Sequence, residues 1–339
     1  MSEKILVTGG TGYIGSHTVV ELITQGFEPI ILDNLSNSHE GILDAIQDIT
    51  GVKPAFYKGD CRDAAIYDKI FSSHQISSVI HFAAFKAVGE SVHKPLAYFD
   101  NNINGLNQLL IAMDKFSIRN LVFSSSCTVY GDPDDPVVTE ETPLKDPQSP
   151  YGFTKLAGEK MLENVVRHKK QMRVALLRYF NPIGAHPSGK IGELPQGTPN
   201  NLLPYITQTA MGIREKLAVF GNDYATSDGS CIRDYIHVCD VASAHVSAIT
   251  MMHKKEEAFI DAINIGTGKG TSVLEIIRIF EEVNAIEVNW EFAPRREGDV
   301  PEIFAKVDKA EHVLNWSAKF SVRDAVKDAW EWEKKYRKQ

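Results

Sequence analysis

The 339-residue sequence predicts a doubly wound parallel α/β sheet with a second, smaller α/β unit, on three observations. Short β-branched runs alternate with helical patterns up to residue 180. The first run opens directly onto a glycine-rich turn. After Phe180 the texture changes abruptly. The strand-like runs are Ile5–Thr8, Pro29–Asp33, Ala55–Gly59, Val79–Phe82, Leu121–Ser126 and Val174–Phe180. Between them lie stretches such as Gly12–Gln25 and Ala97–Lys115, where apolar residues recur at three and four. Val- and Ile-rich strands alternating with helices imply a parallel sheet covered on both faces, and right-handed crossovers make it doubly wound.

Residues 181–204 hold five prolines (Pro182, Pro187, Pro195, Pro199, Pro204) and four glycines, too broken for a continuous element and best read as a long ligand-facing loop. A helix (Val241–Met252), a strand (Ala262–Ile265), a helix (Val273–Val283), a loop around Pro294–Pro301 and a final amphipathic helix (Val322–Lys335) follow. The expected division is residues 1–180, with 239–267 returning to them, as a dinucleotide-binding domain. Residues 181–238 and 268–339 then form the substrate domain.

Lys plus Arg is 36 and Asp plus Glu is 44, a net charge of 36 − 44 = −8, without the clustered basic excess a nucleic-acid surface needs. No apolar run reaches the roughly eighteen residues of a membrane span. Ile5-Leu6-Val7 is too short for a signal peptide. The four cysteines form no C-x-x-C and no zinc spacing. These features point to a cytoplasmic enzyme or binding protein with reduced thiols, no metal and no membrane or nucleic-acid partner.

Residues 8–15 read Thr-Gly-Gly-Thr-Gly-Tyr-Ile-Gly, so Gly9, Gly12 and Gly15 follow a strand and open a helix. Small residues there let a pyrophosphate approach the backbone at the positive helix N-terminus. Asp33 ends the second strand, 33 − 15 = 18 residues after Gly15, where a carboxylate accepts the adenosine ribose hydroxyls. The same carboxylate repels a 2′-phosphate and no arginine adjoins it, so the expected cofactor is NAD rather than NADP.

Tyr151 and Lys155 stand four apart on a segment that Ser149-Pro150 starts as a helix, which puts both side chains on one face. Of the eleven tyrosines only Tyr151 has a lysine at +4. Ser126 ends the fifth strand, at the sheet edge where such folds bind ligands. Lowering a tyrosine from pKa ~10 to ~7 requires roughly 4 kcal/mol. A lysine charge about 4 Å away supplies a similar amount at an effective dielectric near 20. The expectation is therefore a Tyr151 phenolate that removes a sugar hydroxyl proton, with Ser126 holding that hydroxyl.

With those residues in place, the sequence resembles the extended short-chain dehydrogenase/reductase superfamily and, within it, the UDP-glucose 4-epimerase family. The carrying stretches are TGGTGYIGSH (8–17), LDNLSNS (32–38), VIHFAAFKAVGES (79–91), FSSSCTVYGD (123–132), SPYGFTK (149–155), LRYFNPIGAHPSG (177–189), PNNLLPYI (199–206), RDYIHV (233–238) and APRREGD (293–299). The last four are the more specific. The resemblance implies an NAD site lined by Tyr13, Ile14, Asp33, Asn34, Leu35, Ser36, Asn37, Ser38, Asp60, Cys61, Phe82, Lys86, Asn101 and Phe180, besides the glycines, Ser126, Tyr151 and Lys155. It implies a UDP-hexose site of Asn181, Asn201, Leu202, Ala218, Phe220, Arg233, Arg296, Asp299 and Ile303, alongside Ser126 and Tyr151. Arginines there take a diphosphate bidentately. The implied reaction interconverts UDP-glucose and UDP-galactose through a 4-keto sugar that turns about its diphosphate before the hydride returns. A homodimer formed through a two-helix face is likewise implied.

Some positions depart from the family pattern or invite a second reading. Cys127 stands where relatives carry a small residue, and Cys61 where they carry an aliphatic one; both are read as packing. Ile303 is intermediate in bulk at the position that governs admission of N-acetylated sugars, so UDP-N-acetylhexosamines stay open as substrates. His81 and His186 are read as satisfied structural histidines, Trp330 and Trp332 as packing or subunit contact. Arg296, within Arg295-Arg296-Glu297, reads without the resemblance as a solvated charge run. Epimerases of UDP-pentoses or UDP-N-acetylhexosamines are the nearer rivals, and two functions of other kinds remain. A nucleotide-sugar 4,6-dehydratase asks for an acid pair beside the serine, where Cys127 and Thr128 stand, and a non-catalytic NAD sensor would have lost Ser126, Tyr151 or Lys155.

Overall fold

The computed structural model describes residues 2–296 and 298–337. Seven parallel strands form the central sheet: β1 (Lys4–Thr8), β2 (Glu28–Asp33), β3 (Ala55–Lys58), β4 (Ile76–His81), β5 (Asn120–Ser126), β6 (Arg173–Tyr179) and β7 (Phe259–Ile265). Their order is β3-β2-β1-β4-β5-β6-β7, with every pairing parallel. The order reverses between β1 and β4, which opens a crevice at the carboxyl ends of those strands. Thr8, Asp33, Ser126 and Tyr179 all end their strands on that edge.

The strands are near-continuous runs of Val, Ile and Leu because both faces are covered: Ile5, Leu6, Val7, Ile30, Ile31, Val79, Ile80, Leu121 and Val122 are fully buried. One face packs on α1 (Tyr13–Thr24) through Val19, Val20 and Leu22. The other packs on α2 (Gly105–Lys115) and α3 (Pro150–Lys169) through Leu106, Leu109, Met113, Leu162 and Val166. Each such side chain contributes about 1.5–3 kcal/mol on burial. Ser149 caps α3, accepting a hydrogen bond from Gly152 N at 3.1 Å, and Pro150 occupies the first turn, as the sequence signal required. A second core gathers α4 (Leu202–Ala210), Val273–Asn284 and α6 (Val322–Arg337) around Leu203, Ile206, Ile277, Phe280 and Trp330. Between them in sequence, α5 (Val238–His253) returns to the α1 side of the central sheet. Beside that second core lie short strands, among them Ile232–Arg233 paired with Glu302–Ala305, and Leu217–Phe220 paired with Trp290–Ala293.

Two sequence expectations need correction. Ala97–Lys115 is not one helix: Pro95–Tyr98 passes into a π-helical turn, Phe99–Asn104, before α2. Wide turns of this kind collect at functional sites. Here Asn102 Nδ2 donates to Phe85 O at 3.0 Å and Thr154 Oγ1 at 2.9 Å, while its Oδ1 accepts from Phe85 N at 2.8 Å, tying the turn to its neighbours. Residues 181–204 are not wholly loop, since Asn181–Ile183 forms a strand and Ala185 bridges Gly192. Among the described residues no helix is long and apolar enough to cross a membrane.

Candidate active site

The glycine loop closes on backbone at Gly9 and Gly15, leaving no room for side chains at those two positions. Gly9 adopts φ +72°, and a Cβ there would lie 2.8 Å from Ala83 N in the segment after β4. A Cβ on Gly15 would collide with the Gly9 carbonyl oxygen. Gly12 is the N-cap of α1, so the turn presents the positive end of that helix to a bare backbone cradle of the kind a pyrophosphate requires. Ile14 packs on the core behind it. Asp33 lies against this loop: its carboxylate accepts from Thr11 N at 3.1 Å and Leu35 N at 2.9 Å, with Ser38 Oγ at 3.4 Å. Leu35 takes φ +61° to make that turn, Ser36 N bonds Asn34 Oδ1 at 3.0 Å, and Asn37 is exposed beyond them. Asn34 Nδ2 reaches Asp60 Oδ2 at 3.3 Å. The hydrogen-bonded Arg62 guanidinium holds the Asp60 carboxyl down at about 2. Cys61 lies buried under Gly105 with its thiol 4.0 Å from Asn101 O, and burial pushes that thiol up to about 12, which suits a packing residue. Asn101 donates to Asn102 Oδ1 at 2.9 Å.

Tyr151 and Lys155 are buried on one face of α3, opposite the end of β5. Ser126 caps the turn Cys127–Tyr130, accepting from Thr128 N at 3.3 Å. Its hydroxyl also pulls the Tyr151 phenol down. Lys155 Nζ donates to Ser124 O at 2.6 Å and sits 5.9 Å from the Tyr151 ring centroid. The three residues share one edge of the sheet, but burial works against the phenolate that the spacing suggests. Burial is the largest influence on Tyr151 and pushes it above its ordinary range, with Tyr179 adding to the rise. Burial also lowers Lys155 to about 8, opposed by Glu159. Spacing alone cannot weigh desolvation, which disfavours both charges here.

Two of the uridine-side candidates, Arg233 and Arg296, meet Asp299. Arg296 Nη2 lies 2.7 Å and Arg233 Nη2 3.7 Å from Asp299 Oδ1, and the Arg296 guanidinium stands 5.7 Å over the exposed Phe220 ring. Arg296 is thus paired and stacked rather than one of a row of free charges; Glu297, its neighbour in the run, lies outside the described residues. Ala218 shares the Phe220 strand, and Leu202 opens α4. Asn181 N bonds Asp234 O at 3.0 Å. Ile303 is buried with Tyr130 and Phe180 in one apolar cluster. Phe82 packs on His245, centroids 4.6 Å apart.

The structural readings of the histidines and tryptophans fit their surroundings. His81 Nδ1 lies 2.7 Å from Thr8 Oγ1, His186 Nδ1 2.9 Å from Ser188 Oγ, and Trp330 and Trp332 are buried. Three positions escaped the sequence reading. Glu159 continues the 151/155 stripe by one further turn, so its signal was present. Asn102 and Glu193 left none: Glu193 lies in the proline- and glycine-broken loop, yet its Oε1 meets Lys86 Nζ at 2.8 Å and Asn201 Nδ2 at 2.6 Å.

A family model described as GDP-mannose 4,6 dehydratase matches residues 6–329. UDP-glucose 4-epimerase of Bacillus subtilis (strain 168) is 50% identical over 97% of this chain and 96% of its own length. The chain belongs to the UDP-glucose 4-epimerase family. Among solved epimerase structures, that from Stenotrophomonas maltophila, with bound NAD and formylated UDP-arabinopyranose, is 45% identical over 99% of both chains with a TM-score of 0.97. The Bifidobacterium longum epimerase, in complex with NAD+ and UDP, is 42% identical over 98% of this chain and 99% of that one, with a TM-score of 0.95. Against the dehydratase description of the family model, the acid pair expected beside the serine is absent here, where Cys127 and Thr128 follow Ser126. The epimerase family is therefore the nearer fit to the local chemistry.

Proposed function

We propose that this protein interconverts UDP-galactose and UDP-glucose as an NAD-dependent UDP-glucose 4-epimerase. The observation that carries the reading is the burial of Tyr151 and Lys155 on one face of α3, with Ser126 ending β5 on the same edge of the sheet as the glycine turn. Bound NAD supplies a reversible hydride acceptor for C4 of the hexose. Gly9, Gly12 and Gly15 hold its pyrophosphate, Asp33 its adenosine ribose, and Asp60 faces its adenine. Tyr151 takes the C4 hydroxyl proton and later gives it back, Ser126 holds that hydroxyl, and the Lys155 ammonium favours the phenolate. Burial opposes ionisation of Tyr151, and the positive charge of an oxidised nicotinamide would push the other way, alongside Lys155. Arg233 and Arg296 grip the diphosphate and Phe220 the uracil side. Firm contacts on the nucleotide leave the hexose free to turn, which spends binding energy away from the reacting carbon.

The same reading divides the chain into residues 1–180 plus 239–267 for the cofactor and residues 181–238 plus 268–339 for the UDP-sugar. It places the enzyme in the cytoplasm as a homodimer, with no nucleic-acid or membrane partner. The dimer face is the α2–α3 pair, whose groove is lined by Leu110, Ile111, Met161, Val165 and Met172, with Ile111 half exposed. Purified protein incubated with UDP-galactose and no added NAD, followed by chromatographic separation of UDP-hexoses, tests the function. UDP-glucose formed without net cofactor reduction supports it. No product even after NAD is supplied overturns it.

A further inference from the structure

We propose that Glu193 is a positioning residue that ties the cofactor side of the site to the uridine side by holding Lys86 and Asn201 on a single carboxylate oxygen. The proposal rests on the site reading above, in which Lys86 faces the cofactor and Asn201 the nucleotide.

The geometry sets Glu193 apart from the ion pairs whose two side chains are both exposed. Its side chain is 10% exposed, and its Oε1 accepts from Lys86 Nζ at 2.8 Å and from Asn201 Nδ2 at 2.6 Å. The backbone beneath it is pinned. Its carbonyl accepts from Trp332 Nε1 at 3.3 Å, and Gly192 lies so close on the Trp332 ring that a Cβ would collide. Ala185 bridges Gly192 across the loop. A carboxylate anchored in this way can aim two partners, whereas an exposed pair on mobile chains aims neither.

Both partners need aiming. Lys86 is a long side chain, nearly half exposed, whose ammonium, among the described residues, otherwise rests only over the Tyr13 ring at 5.8 Å. Asn201 is exposed and forms the N-cap of α4 without using its side chain as a cap. Lys86 follows β4 of the central sheet and Asn201 precedes α4 of the second core, so the two share no element except through Glu193. The charged bond to Lys86 is the stronger of the two, because an ionised donor and acceptor roughly double a neutral hydrogen bond.

The chemistry of the two bonds separates under substitution. Glu193→Gln keeps a neutral acceptor for Asn201 but removes the charge that Lys86 answers. Glu193→Ala removes both. The readouts are NAD retained per chain after gel filtration and UDP affinity by calorimetry, on full-length protein, with thermal melting as the check on folding. Glu193→Gln is expected to lower NAD affinity roughly tenfold while leaving UDP affinity within about twofold. Glu193→Ala is expected to weaken both ligands and raise KM more than it lowers kcat. Lys86→Met should match the NAD loss of Glu193→Gln, and the double variant should lose no more than either single one. Glu193→Ala leaving both affinities within twofold overturns the proposal. So does Glu193→Gln weakening both ligands equally, because a loop that merely collapses does not distinguish the amide from the methyl. If Lys86→Met leaves NAD unchanged and Asn201→Ala leaves UDP unchanged, the site reading fails and the proposal falls with it.

Discussion

Arg178→Met is the substitution whose cost follows most directly from the structure. The side chains of Arg178 and Glu159 are 5% and 0% exposed, joined by Nη2–Oε2 at 2.6 Å and Nε–Oε1 at 2.9 Å. Ser125 Oγ donates to the same carboxylate at 2.5 Å, and Tyr130 OH accepts from Arg178 Nη1 at 3.1 Å. Removing the guanidinium leaves a buried carboxylate without its counter-charge, which costs about 3–5 kcal/mol. Unfolding entropy of about 2.1 cal/mol/K per residue gives roughly 0.7 kcal/mol/K for a chain of this length, so the expected fall in Tm is about 6 °C. Circular-dichroism melts of the wild type, both single variants and Glu159→Gln/Arg178→Met measure it. The double variant should recover part of the loss, since no buried charge is then left alone. A fall below about 1 °C, or strictly additive losses in the double variant, would refute the reasoning. Glu159 also raises Lys155, so Glu159→Gln should move the alkaline limb of the rate profile, expected near pH 8, to lower pH.

Tyr151→Phe should abolish most turnover while leaving NAD and UDP binding nearly intact; retained turnover would place the base on another residue. Asp33→Ala should weaken NAD and relax the rejection of NADP, and an unchanged cofactor preference would discredit the ribose assignment. Burial lowers His17 and His81 to about 3 and His245 to about 4. The unfolded chain takes up protons near pH 6.5 that the folded chain refuses until pH 3–4. The stability these groups lend is therefore complete above pH 6.5 and falls with acidification, by up to about 1.4 kcal/mol per pH unit for each histidine. Urea midpoints between pH 7 and pH 5 read this directly, and a flat profile would refute it.

The central sheet was legible because its strands are buried on both faces, so β-branched runs announce themselves without alternation. Asp33 and Ser126 fall at strand ends for the same reason. Tyr151 and Lys155 were legible because their spacing is a helical turn. What stayed hidden depends on contacts distant in sequence. The π-helical turn at Phe99–Asn104 is held by Asn102 against Phe85 and Thr154, and no local pattern encodes that partner choice. Two-residue strands such as Ile232–Arg233 carry too few residues for any period to register. Glu193 is informative only once the loop has folded back onto Lys86, 107 residues away in sequence.

The position of β7 at the edge of the sheet imposes an order on the birth of the molecule. The ladder from β3 to β6 can assemble once residue 179 has been made, but β6 keeps one side unpaired until β7 emerges more than eighty residues later. At ribosomal rates of about 5–20 residues per second, that interval lasts roughly 4–17 s. Throughout it Arg173–Tyr179 offers an open, largely apolar strand to any neighbouring nascent chain. The site needs the same late arrival, because Phe180 N is bonded to Ile265 O at 3.2 Å. A nascent chain halted before residue 265 has its glycine cradle, its tyrosine and its lysine, but lacks the strand that completes the sheet beside them.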